Sequence, residues 1–218
     1  MSAIVIPTNL VIFTGRLRSG KDHAAQIMGL TPIPLAEPLY EICISMLGDC
    51  NKRNPLHRRF LQLLGAWGRG ETGEHPELPE AKEVAALITK SPEKLLSEKH
   101  TKLNIDWETF GNPDFWIKIG VEKTKALMTS TKDPRLAIPN GRFPNELMAF
   151  QKLGFIHMHV VCSEHTRRAR AGGDNNAEIE NDTTELFAKY LDENMFGPMV
   201  LWNDPYYPVP SNTGWQKI

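Results

Sequence analysis

Gly15-Arg16-Leu17-Arg18-Ser19-Gly20-Lys21 fits the spacing G-x-x-x-x-G-K, and its flanks restrict the fold more than any other feature of the chain. Leu10-Val11-Ile12-Phe13, just ahead of it, is a nearly continuous apolar run bounded by turn formers, which predicts a short strand buried on both faces. Residues 21–28, closed by Gly29, predict a helix. A strand without a polar face needs cover on both sides, so a strand, a glycine turn and a helix in succession predict a parallel α/β sheet flanked by helices.

The rest of the chain continues the alternation. Residues 33–36 read as a second short strand or extended segment, and Pro38–Leu47, ended by Gly48, as a helix. Apolar positions 60, 61, 63, 64 and 67 predict a helix over 58–67. Residues 68–80 read as a loop, 81–90 and 115–128 as helices, and 136–138 as a strand. A helix over 145–153 with Gly154 as its stop, a strand over 155–161, a helix over 183–196 and a last strand at 201–202 complete the pattern. Residues 163–178, polar and rich in arginine and glycine, read as a mobile segment. The chain is expected to be one domain over 1–218, with a helical region at about 37–130 and a lid at about 163–178.

The same glycine turn carries chemistry. Glycines let the backbone turn tightly and aim several N–H groups at one anion. The following helix adds the positive end of its dipole, and Lys21 a full charge at the phosphates of a bound nucleotide. Gly15, Arg16, Arg18, Ser19, Gly20, Lys21, Asp22 and His23 are therefore the candidates for contact with ATP. Asp22 stands where the general motif has a hydroxyl residue. It is the candidate ligand for Mg2+, directly or through water, with capping of the helix start as the alternative role.

Transfer of a phosphoryl group needs cations around the acceptor and the moving group. Arg142 lies just past a predicted strand end, where ligands bind in open α/β sheets. Arg167, Arg168 and Arg170 are catalytic candidates on a lid that would close over ATP and exclude water. The helix at 58–69 offers Arg58, Arg59, Gln62 and Arg69; Arg58 and Gln62 share a face, and Gln62 has both a donor and an acceptor for a base edge. Trp67 and Trp116 suit base stacking or core packing. Glu37 suits a sugar hydroxyl, a metal-bound water, or a helix start.

Several segments, taken in order, resemble viral deoxynucleoside monophosphate kinases of bacteriophage type. Leu35-Ala36-Glu37-Pro38-Leu39 is similar to that family's F-A-[DE]-P-L, and Arg59 to Arg69 to its R-x-L-L-Q-x-x-G-x-x-W-G-R helix. Asn140-Gly141-Arg142-Phe143-Pro144-Asn145-Glu146 is similar to its D-x-R-F-P-N-E signature, and Phe115-Trp116 to a tryptophan segment between them. The resemblance implies a P-loop NTPase-type three-layer fold. It also implies transfer of the ATP γ-phosphoryl to a deoxynucleoside monophosphate, with Asn145, Glu146 and Glu185 among the acceptor residues. Glu185 enters through Asp182-Thr183-Thr184-Glu185, aligned with H-x-S-E, and Asn140 replaces the signature aspartate. A viral origin, host-cell cytoplasm and a homodimer are implied by the same route.

Composition narrows the alternatives. Lys and Arg number 25 against 26 Asp and Glu, which disfavours direct nucleic-acid binding. No apolar run is long enough to span a membrane, and no signal-peptide pattern opens the chain, so the expected compartment is the cytoplasm. Three cysteines without C-x-x-C spacing fit small buried side chains, and His157 and His159 alternate along a strand rather than forming a zinc pattern. A kinase of another small molecule, such as dephospho-coenzyme A, and a nucleotide-binding module without transfer activity remain open.

Overall fold

A computed structural model describes residues 9–51, 54–71, 110–170, 183–194, 199–207 and 216–218. The strands are β1 (Leu10–Thr14), β2 (Thr31–Pro32), β3 (Leu136–Ile138), β4 (Ile156–Val161), β5 (Val200–Trp202) and β6 (Gln216–Lys217). The helices are α1 (Lys21–Ile27), α2 (Glu37–Leu47), α3 (Pro55–Gly68), α4 (Phe115–Ser130), α5 (Pro144–Lys152), α6 (Glu164–Arg170) and α7 (Thr183–Asn194). Two compact units result, residues 1–34 with 121–218 and residues 35–120.

The first unit is built on one sheet, ordered β2-β3-β1-β4-β5-β6, with every pair parallel. The apolar run of β1 accounts for its central position. Val11, Ile12 and Phe13 are fully buried, each such side chain contributing roughly 1.5–3 kcal/mol. Val11 and Phe13 pack with Ala24 and Ala25 of α1, Ala137 of β3, Met158 and Val160 of β4, and Leu201 of β5. The two alanines on the inner face of α1 keep that helix close to the sheet. The connection leaving β1 runs toward β2 on one side of the sheet, and the one leaving β4 runs toward β5 on the other. The crevice beyond the carboxyl ends of β1 and β4 is therefore a topological switch point, where open sheets of this kind hold ligands.

Two segments differ from their sequence reading. The second strand is Thr31–Pro32, not 33–36, because pairing with β3 begins with the Thr31 amide on Arg135 O and ends when Pro34 has no amide to offer. Residues 164–170, read as part of a mobile segment, are helical. Ser163 Oγ accepts from the Thr166 amide at 3.2 Å as a cap, and Glu164 pairs with Arg167 and Arg168 at the i,i+3 and i,i+4 spacings. A further edge strand, β6, extends the sheet beyond β5. Of the expected loop at 68–80, Gly68 is the last residue of α3 and Arg69 caps it; residues 72–80, the expected helix at 81–90 and the lid residues 171–178 lie outside the described residues.

In the second unit, α2, α3 and the start of α4 close around Ile42, Cys43, Phe60, Leu64, Phe115 and Trp116. Helix α3 starts three residues before its apolar periodicity, because Asn54 Oδ1 accepts from the Leu56 amide at 2.9 Å and Pro55 fills the first helical position. Cys43 and Cys162 are buried, and burial pushes their thiols up to about 12 and about 11, as befits small apolar side chains. Cys50 is half-buried. Among the described residues, no helix is long and apolar enough to cross a membrane.

Candidate functional site

At the carboxyl end of β1 the chain turns through residues 15–20 into α1. Gly15 (φ 139°), Arg18 (φ 66°) and Gly20 (φ 100°) all take positive φ, and the Ser19 amide closes the turn on Arg16 O at 3.0 Å. A Cβ on Gly15 would stand 2.3 Å from the Val160 carbonyl oxygen, and one on Gly20 would stand 1.8 Å from Asn203 Nδ2. The loop thus lies against the carboxyl ends of β4 and β5 as well as its own strand. Ser19 is 1% exposed, and its hydroxyl has no hydrogen-bond partner.

Lys21 folds over this loop. Its Nζ donates to Gly15 O at 2.6 Å and to Arg16 O at 2.9 Å. Burial pushes the ammonium down to about 8; Glu185 opposes this, Arg142 adds to it, and Asp22 and Asp192 oppose it more weakly. Asp22 and His23, in the first turn of α1, are exposed.

The signature residues lie beside β1. The Gly141 amide donates to Phe13 O at 2.9 Å, which sets Asn140-Gly141-Arg142 against the entry to the glycine loop. Glu146 Oε2 accepts from the Arg142 amide at 2.6 Å and the Phe143 amide at 3.0 Å, and Asn145 Oδ1 accepts from the Glu146 amide at 3.1 Å. Glu146 and Asn145 therefore fix the backbone that carries Arg142, while the Arg142 side chain is exposed.

Beneath the loop runs a buried polar chain. Thr14 Oγ1 lies 2.6 Å from His157 Nε2 and 2.7 Å from His159 Nδ1, and His159 Nε2 lies 2.7 Å from Asp192 Oδ1 of α7. Hydroxyl, imidazole and carboxylate in line suggest nucleophile chemistry, but Thr14 is 0% exposed, so no substrate can reach its oxygen. The chain holds the last residue of β1 in place. Burial first, then the neighbouring His159, pushes His157 down to about 4, so it stays neutral at physiological pH.

Two of the three arginines assigned to the lid contact carbonyls of the loop. Arg170 donates to the Arg18 carbonyl at 2.9 Å, to Ser19 O at 3.1 Å and to Asn203 O at 3.2 Å. Arg167, 6% exposed, donates to Leu17 O at 3.4 Å and pairs with Glu164, while Arg168 is largely exposed and pairs with Glu164 at 3.0 Å. Arg16 Nη1 lies 3.6 Å from the same carboxylate. Burial works against the charge of Glu164, but Arg167 and Arg168 hold its carboxyl below the usual range.

Asp204, just past β5, ties α6 to the end of the sheet. Its carboxylate accepts from the Ser163 amide at 2.8 Å, Thr166 Oγ1 at 2.8 Å, and the Tyr206 and Tyr207 amides at 3.0 and 3.2 Å. Burial alone would raise its pKa, yet hydrogen bonds from Ser163, Thr166 and Tyr206 hold it at about 2. A depressed carboxyl stabilises the fold above its unfolded pKa near 4 and loses that contribution as pH falls toward 2. Asp204→Asn is expected to cost roughly 2 kcal/mol at neutral pH, with the gap from wild type closing between about pH 4 and 2. Denaturant unfolding across that range measures it; a gap independent of pH would show that the charge of Asp204 does not matter.

In the second unit, Trp116 is 6% exposed, meets Phe115 edge-on and donates its indole N–H to Gly65 O at 3.0 Å, which makes it a core residue. Trp67 packs half-buried against the same core. On α3, Gln62 is exposed, Arg58 and Arg59 are half-buried, and Arg59 Nε is buried without a partner. Arg69 pairs with Glu71 at 2.6 Å, and Glu37, half-buried, opens α2.

Glu185, which the resemblance aligns with an acceptor-site glutamate, accepts the Leu17 amide at 2.7 Å in the glycine loop. Sequence reasoning missed Thr14, Asp192, Asn203 and Asp204. Sequence signals existed for two of them: histidines two apart share a strand face, which bears on Thr14, and Asp192 lies seven residues, two turns, from Glu185 on one helix face; no local signal marks Asn203 or Asp204. No protein-family model matches the chain, and no curated protein matches it.

Proposed function

We propose that the chain is an ATP-dependent phosphotransferase whose acceptor is a nucleoside monophosphate, with the loop at Gly15–Lys21 as its phosphate loop. The observation that carries this reading is the loop itself: three residues with positive φ at the carboxyl end of the central parallel strand, followed by a helix, with the Lys21 ammonium over the turn. A left-handed glycine turn leading into a helix start, with one cation over it, suits a polyphosphate, and the switch point suits a nucleotide. The deoxynucleoside preference rests on the resemblance of residues 35–39, 59–69 and 140–146 to viral deoxynucleoside monophosphate kinases.

In this reading Lys21 exchanges the carbonyls of Gly15 and Arg16 for the β- and γ-phosphate oxygens. A phosphate oxygen of the acceptor attacks the γ-phosphorus, the bond to the bridging oxygen breaks, and ADP leaves. Arg142, exposed beside the loop, neutralises charge on the acceptor or the transferring group. Asp22, exposed in the first turn of α1, fits a magnesium ion held mainly by phosphates and water, for which one carboxylate suffices. The ion would neutralise phosphate charge. Arg167 and Arg170 support the loop through its carbonyls, which leaves Arg168 as the lid arginine able to reach a nucleotide without giving up a loop contact.

Incubation with ATP, magnesium and each deoxynucleoside monophosphate is expected to release ADP only when an acceptor is present. Arg142→Ala is expected to lower that turnover by about a hundredfold or more. Near-native turnover of Arg142→Ala would remove its assignment. Asn140, in place of the signature carboxylate, favours a second reading, a nucleotide-binding module without transfer. ATP binding with no turnover on any monophosphate would select it.

A further inference from the structure

Helix α7 carries Glu185 and Asp192 seven residues apart, on the face that buries Ala188 and Leu191. Both carboxylates reach the glycine loop or its floor. Glu185 Oε2 accepts from the Leu17 amide at 2.7 Å; Asp192 bonds His159 at 2.7 Å and lies 3.9 Å from Arg16 Nε. Glu185 is 8% exposed, so it holds this place with little help from water. A buried carboxylate within a loop suited to anions would repel them unless it serves the loop itself.

We propose that Glu185 is a positioning residue of the phosphate loop: its buried carboxylate, reaching across from α7 to accept the Leu17 amide, fixes the turn and sets a counter-charge beside the loop that carries Lys21. This rests on the phosphate-loop reading given above. The charged groups that bear on Lys21 are Glu185 and Asp192 from α7, Arg142 from the turn after β3, and Asp22 on α1. Burial and Arg142 both favour the neutral amine, and Glu185 is the largest charge opposing them. A neutral Lys21 cannot hold phosphate as a cation, so removal of the Glu185 charge lets the amine lose its proton at lower pH.

The test compares wild type with Glu185→Gln, which keeps shape and an acceptor oxygen, and Glu185→Ala, with exposed Leu186→Ala as a control. The measurements are ADP affinity by calorimetry and kcat/KM for ATP, both from about pH 6 to about pH 9; kcat/KM follows groups of the free enzyme. For Glu185→Gln the alkaline limb of both is expected to move down by about one pH unit, with near-wild-type values at the acid end. For Glu185→Ala, ADP affinity is expected to fall about fivefold or more throughout, since the Leu17 amide also loses its partner. Limbs that coincide with wild type would overturn the proposal. Tighter ADP binding by either variant would also overturn it, because Glu185 would then compete with phosphate. If wild type bound no ADP at any pH, the phosphate-loop reading itself would fail. Binding by wild type with unaffected variants would remove only the role of Glu185.

Discussion

Lys21→Ala is expected to lower ATP-dependent phosphorylation of a monophosphate by about three orders of magnitude, while the protein stays folded. The two consequences separate because the ammonium has different partners in each. In the structure it satisfies the carbonyls of Gly15 and Arg16, both beside a partly exposed side chain that water can replace. Bonds from an ammonium contribute about 1.5–3 kcal/mol each, but removing the side chain also removes the cost of burying its charge and lets water reach both carbonyls, so the net cost to stability is small. During transfer the same charge would face oxygens that gain negative charge, in a site closed to water, where nothing substitutes for it. ADP release and thermal unfolding, measured on one preparation, test both halves. Turnover within tenfold of wild type would place Lys21 away from the phosphates.

Gly15→Ala is expected to destabilise the protein by about 3 kcal/mol or more through two additive penalties. Its φ of 139° lies where an L side chain is strained, and the new methyl would stand 2.3 Å from the Val160 carbonyl oxygen. That oxygen belongs to the backbone of β4, so the collision cannot be relieved by a rotamer change. β1 and β4 would have to part at the end that carries the loop. For a chain of this length the melting temperature is expected to fall by roughly 10 °C. A loss under about 2 °C would mean that the loop rearranges freely, contrary to the contacts that hold it.

The central architecture was legible because it rests on local signals that agree. The apolar run before Gly15, the glycine spacing and the closing Gly29 specify strand, turn and helix without outside help. Likewise Gly48 and Gly154, both with positive φ, end α2 and their own turn after α5 as their positions suggest. What escaped the sequence was long-range. Glu164–Arg170 reads as a polar loop because its helix depends on Asp204, far along the chain, to satisfy Ser163 and Thr166. Arg170 reads as a free cation because its acceptors are carbonyls of residues 18, 19 and 203, and no residue type predicts which carbonyl stands opposite it. Glu185 and Asp192 look like any solvated carboxylates until the helix that carries them is set against the loop.

The placement of β1 has a consequence for how the protein comes into being. The strand precedes both its partners by more than a hundred residues, Leu10 pairing with Leu136 and Val11 with Ile156. Such distant pairings close slowly, since a long stretch must be gathered before any contact rewards it. On the ribosome, the glycine turn emerges well before β3 and β4 and waits for them. Its left-handed residues have nothing to press against until β4 has been synthesised and Val160 is present, so a nascent chain that stops short of that point is expected to carry the motif without the packing that shapes it.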